Sequence, residues 1–270
     1  MGIGYGLVEE GLGDMSLFNP TYDSRHLLDI AELFGVGWFW WLHVLTMHAV
    51  WSIGASIALT EALLPRRAHE PWLSRVGLAA CAVTFLVSAA ATHLVASRGY
   101  EPGPAQCATI IVLLGLVALF GFVPRRGERH VRGLAPSPLR TGAFAFATCS
   151  AFMLLHPRFT GASVPGGILV IADLLLYAAA AGMVWSWSGR YGWGPPQVLV
   201  CAGAVLTYVW YGFVLVGGSP MDLGGQVVFS VSALLVLTLG SRRSQPASVV
   251  LDPRHLPIHR SGDAPATRAG

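Results

Sequence analysis

Uncharged stretches about as long as a bilayer is thick decide what this chain can fold into. A hydrocarbon core about 30 Å deep takes roughly 20 apolar residues in a helix, and only a helix or a closed barrel satisfies its own backbone there. Seven such runs occur, at 37–64, 76–97, 105–123, 141–156, 166–187, 197–217 and 223–240. The fourth is short and meets Pro157 at once, which predicts a tilted, half-inserted or bent segment. Only 11% of the residues are charged and 54% are hydrophobic, with mean hydropathy +0.59. Soluble domains carry about 25% charged residues. The expectation is an all-α polytopic membrane protein with seven transmembrane helices, and a soluble or disordered chain is excluded.

Arginine distribution orients the spans. With the N-terminus outside, 14 of the 17 basic residues fall in inner loops and the C-terminal tail, and three (Arg25, Arg98, Arg158) fall outside. That is the positive-inside pattern for an N-out, C-in protein of the plasma membrane. All 17 are arginines. Without lysine there is no retinal Schiff base, no PLP aldimine and no lysine nucleophile. A net charge of +3, spread along the chain, argues against nucleic-acid binding. Cys81, Cys107, Cys149 and Cys201 lie far apart in apolar runs, so neither a disulfide framework nor a thiolate metal site is indicated.

The flanks divide from the membrane domain by composition. Residues 1–35 hold Glu9, Glu10, Asp14, Asp23, Asp29 and Glu32 against one arginine and read as an acidic extracytoplasmic segment. They lack the basic and apolar regions of a secretory signal, and Met15 offers a second start. Asp23 or Ser24 would cap a short amphipathic helix with Leu27, Ile30, Ala31 and Phe34 on its apolar side, lying on the outer surface. Residues 36–240 form the seven-helix domain, and 241–270 a disordered basic cytoplasmic tail.

Ionisable groups inside spans cost at least about 2.5 kcal/mol for Asp and are functional candidates by default. His43 and Glu61 are 18 residues apart, five full turns of α-helix, and share a face. Glu61 is either a protonatable acid or an ion-pair partner of Arg66 or Arg67. His43, His48, His93 and His156 would gather toward the outer side, for haem, copper or proton transfer, or as helix–helix hydrogen bonds. His43 and His48 project about 140° apart on a straight helix and do not share a metal there. No metal or cofactor is assigned. Asp173, one turn before Tyr177, is the most deeply placed acid, and Asp222 follows a Gly-Gly-Ser-Pro-Met turn as an acid or an N-cap. Trp38, Trp40 and Trp41 mark an outer aromatic belt, and Trp185, Trp187 and Trp193 an inner one. Trp51, Tyr208, Trp210 and Tyr211 lie within spans, where rings either pack or hold a cationic centre.

The size, the span number, Glu61 in "LTEALLP" and Asp222 in "SPMDLGG" resemble the integral-membrane terpene cyclases of meroterpenoid and indole-terpenoid biosynthesis. The resemblance implies that a protonated carboxyl activates an epoxide or alkene of a prenylated substrate, that aromatic rings steady the carbocation, and that a base removes the last proton. The topology sets Glu61 toward the inner face and Asp222 toward the outer. Either the first span is shifted or re-entrant, or Asp173 is the second acid. Besides the bilayer, the implied partner is an apolar prenylated small molecule. Other readings are a proton-coupled transporter with a path through His43, His48, Asp173 and Glu61, a haem or copper redox protein, and a non-catalytic membrane subunit.

Overall fold

Proline and glycine set the helix starts. In a computed structural model, which describes residues 1–22, 26–64, 70–96, 99–123, 131–156, 164–216 and 220–244, several helices begin with proline at their first position, where its missing N–H costs nothing. The sequence Gly-Pro-x-Gln is used twice. Gln106 Oε1 accepts from Gly103 N at 2.8 Å, and Gln197 Oε1 from Gly194 N at 3.1 Å. Each side chain reaches back to satisfy a donor at its helix start.

The helices in chain order are α1 (Gly2–Val8), which continues as a π-helical stretch Glu9–Gly13; α2, built of Trp38–Met47, a π-helical stretch His48–Ala55 and Ser56–Leu63; α3 (Arg75–Ala96); α4 (Pro104–Phe122); α5 (Pro138–Leu154); α6 (Gly166–Ser188); α7 (Pro195–Cys201); α8 (Ala204–Val216); and α9 (Pro220–Ser244). Five helices are long and apolar enough to cross a membrane: Trp38–Glu61, Arg75–Ala96, Pro104–Gly121, Gly166–Ser188 and Pro220–Gly240. The fourth apolar run forms α5, with 17 residues. The sixth is broken into α7 and α8, because Gly203 follows a tight turn in which a Cβ would stand 2.8 Å from the carbonyl oxygen of Val200.

Burial is inverted relative to a soluble protein. α3 buries no residue, and Leu86, Val87, Leu119, Phe120 and Phe229 are exposed. Glu10, Asp14, Ser16, Asn19, His43, His156 and Asp173 are buried. Large exposed apolar surface around a polar interior suits lipid as solvent.

Three expectations change. Residues 1–22 are not a surface flank: α1 packs against the π stretch of α2 and against α4, and Glu9–Gly13 packs against α3. Leu7, Leu17, Leu27, Trp40, Trp41, Val44 and Ile110 form one core. Trp40 and Trp41 therefore leave the outer belt. Their indoles donate to Ser16 Oγ (3.1 Å) and the Leu17 carbonyl (2.9 Å). From Leu27 to Phe34 the structure has a 3₁₀ turn, Leu27–Asp29, and then strand β1 (Glu32–Leu33) paired antiparallel with β2 (Val36–Gly37), in place of a helix. Ala31 and Phe34 have positive φ, which no helix accommodates. Asp23 and Ser24 lie outside the described residues, as do 245–270 of the tail. A second strand pair, β3 (Val131–Leu134) and β4 (Arg190–Tyr191), is parallel.

The π stretch of α2 has a local cause. A Cβ on Gly54 would sit 2.8 Å from the carbonyl oxygen of Ala49, five residues back. Gly54→Val is expected to force the stretch toward α geometry and to destabilise the protein by about 1–3 kcal/mol, read as a lower midpoint in thermal unfolding of the detergent-solubilised chain.

Candidate functional site

Two polar centres flank the upper half of α2. The first is wholly buried. His43 and Asp173, from α2 and α6, are both 0% exposed, with Nδ1 3.9 Å from Oδ2. Among the described residues neither imidazole nitrogen nor either carboxylate oxygen has a hydrogen-bond partner. The His43 ring stacks on Phe152 of α5 at 4.1 Å and lies 5.2 Å from the ring of Phe39 and 5.4 Å from that of His156. Trp51 stacks on the other side of this group, 5.7 Å from Phe152, with its indole N–H on the Ala204 carbonyl at 2.8 Å. Tyr177 accepts from the Thr46 hydroxyl at 2.9 Å and donates to the Leu42 carbonyl at 3.2 Å, which ties α6 to α2 beside the pair. A buried ionisable pair of this kind, without hydrogen bonds, is costly for stability.

The second centre joins the N-terminal segment to α2. His48 Nε2 lies 2.6 Å from Glu10 Oε1 and 3.0 Å from Glu9 Oε2, and its Nδ1 lies 3.1 Å from Ser52 Oγ. The Ser16 hydroxyl donates to the other oxygen of Glu10. Asp14 accepts from Ser16 N at 3.1 Å and from the Tyr22 hydroxyl at 2.9 Å. Glu10 lies outside the five long helices. Burial pushes its carboxyl up to about 7, with the Asp14 and Glu9 charges adding to the rise and the His48 and Ser16 bonds opposing it.

The predicted residues are thus sorted. The four histidines do not form one cluster: His43 and His156 share the buried centre, and His48 faces the glutamates. His93 lies with Nδ1 2.8 Å from the Leu12 carbonyl and Nε2 3.4 Å from Glu101. The face from His43 to Glu61 is not continuous, because the π stretch between them turns less per residue than an α-helix. Glu61 is half-buried and Asp222 exposed, in the first turn of α9 rather than at its cap. Trp210 and Tyr211 sit on α8, Trp210 being exposed. Tyr208 is in the same helix, and its side chain lies outside the described residues. An apolar cavity of about 350 Å³ between α5, α7, α8 and α9 is lined by Leu139, Gly142, Phe146, Leu199, Leu206 and Leu237 among others, and none of the predicted acids lines it.

Sequence reasoning missed Glu9, Glu10, Asp14 and Ser16. Their signal is the glycine spacing of "GIGYGLVEEGLG". Cβ atoms on Gly2, Gly6 and Gly11 would stand 2.5, 3.1 and 2.6 Å from Ala49 Cα, His48 and Ile110. Small residues four apart allow helices to approach closely in a membrane. Set against known protein families, curated proteins and solved structures, the chain finds no match.

Proposed function

We propose that this chain is a seven-crossing plasma-membrane enzyme, N-terminus outside and C-terminus inside, that cyclises an apolar prenylated substrate by protonation. One observation carries the reading. Asp173 is fully buried beside His43, whose ring lies against Phe39 and Phe152, and Phe152 in turn lies against Trp51 and Tyr177. An acid that delivers a proton to an alkene or epoxide creates a cation, and ring faces attract cations. His43 is placed to take the proton lost at the end, so the proton count balances and the substrate is isomerised. The apolar cavity of about 350 Å³ beside α5 is of a size to take an isoprenoid tail. The arginine distribution supports the orientation. Within this reading Asp173 takes the acid's role in place of the Glu61 and Asp222 pair.

The test is turnover of farnesylated and geranylgeranylated aromatic acceptors, with and without a terminal epoxide, by the purified chain. Asp173→Asn is expected to lower turnover by about 10²–10⁴-fold, while Glu61→Gln and Asp222→Asn keep it. Undiminished turnover in Asp173→Asn ends the proposal.

A further inference from the structure

Three carboxylates, Glu9, Glu10 and Asp14, converge where the N-terminal segment meets α2. Among the described residues Glu9 and Glu10 both meet one imidazole, His48, while Asp14 is held by Ser16 N and the Tyr22 hydroxyl. Buried charge is stable when it is paired or coordinates a metal, and here acid exceeds base. The donor atoms also meet at one point. Nε2 of His48, one oxygen of Glu9 and one of Glu10 all lie within 4.8 Å of one another. We infer that Glu9, Glu10 and His48 form a divalent-cation site of the zinc type, with three protein ligands and a fourth position for water.

The geometry suits that cation. Zinc binds nitrogen and carboxylate oxygen at about 2.0–2.2 Å, so tetrahedral donors stand roughly 3.3 Å apart. The present separations of 2.6 and 3.0 Å from Nε2 need to open by about 0.7 and 0.3 Å to reach that spacing. Glu9 Oε2 is buried, 3.0 Å from the imidazole nitrogen, and has no hydrogen-bond partner among the described residues, so its lone pairs face that point.

The surroundings hold the ligands as metal sites require. Ser52 Oγ lies 3.1 Å from the second nitrogen of His48 and holds the ring's orientation. Ser16, itself receiving the Trp40 indole proton, fixes the second oxygen of Glu10. An independent feature falls at the same place. Both ligand-bearing segments are π-helical, one starting at Glu9 and the other at His48, and π turns gather at functional sites. Three protein ligands with one open position is the arrangement of zinc sites that activate water, not of closed structural ones.

The site is tested on the full chain in detergent, stripped with a chelator and titrated with Co²⁺ as a visible probe. One Co²⁺ per chain is expected, with the absorption of a tetrahedral centre and displacement by Zn²⁺. His48→Ala and Glu10→Gln are expected to weaken binding by about 100-fold or more, and Ser52→Ala, a positioning residue, by about 10-fold. Glu9→Gln changes the most exposed ligand and serves where His48→Ala does not fold. A stripped parent that takes up no Co²⁺, or folded His48 and Glu9 variants that bind as the parent does, overturns the inference. Binding is read without any turnover assay, so the result is independent of the cyclisation reading.

Discussion

The double variant His43→Phe, Asp173→Leu is expected to unfold at a temperature equal to or above that of the parent, while losing turnover. The two side chains are wholly buried, 3.9 Å apart, and among the described residues none of their four polar atoms has a hydrogen-bond partner. The desolvation of both groups is then offset only by what they do for each other. Replacing such pairs by apolar residues of similar volume is neutral or stabilising by about 1–4 kcal/mol. The single change His43→Phe behaves oppositely. It leaves a carboxylate in an apolar site and is expected to cost about 3–5 kcal/mol. Thermal unfolding of the four members of the cycle separates these cases. A double variant several kcal/mol below the parent means that the pair serves the fold, and its assignment as a reaction centre fails.

Gly6→Leu is expected to lift the N-terminal helix away from the bundle. At Gly6 a Cβ already stands 3.1 Å from His48 and Leu45, at the point where α1 crosses the π stretch. A longer side chain there forces apart an interface that buries Leu7, Glu10 and Leu17. Overpacking of about 1–3 kcal/mol raises the undocked population about five- to 150-fold. A protease that cuts after glutamate reports it directly. Glu10 is 6% exposed in the docked chain, so cleavage at Glu9–Glu10 is slow in the parent and accelerates by that factor in the variant. Equal rates mean that the glycine contact does not hold the segment. The same undocking removes two of the three proposed cation ligands, so Co²⁺ affinity falls with it.

The long helices were legible because hydropathy sums over many residues and survives local error. Asp173 was legible for the same reason, since an acid eight residues into a long apolar run has to be buried. Its neighbours were harder to read. His43 was visible as a polar residue in a span, but its pairing with Asp173 across 130 positions depends on how α2 and α6 pack. The π stretch rests on one glycine, Gly54, whose effect no hydropathy pattern carries. The N-terminal acids were read only as an acidic extracytoplasmic segment, because their charge is a compositional signal while the glycine contacts that dock them depend on packing. Trp40 and Trp41 were read as belt residues because tryptophan at a span end has two uses, and the deciding partners, Ser16 and Leu17, lie 24 positions away.

The short parallel pairing of β3 with β4 imposes a parity rule. Val131 N bonds the Gly189 carbonyl at 2.7 Å, and Ala135 N bonds the Tyr191 carbonyl at 2.9 Å. Two connectors laced together by backbone bonds are held side by side, and in any bilayer that the long helices cross they would share a face. An even number of crossings for α5 and α6 together is then the expected result, including for the 17-residue α5, about 25 Å long, and a topology tag in either connector tests it.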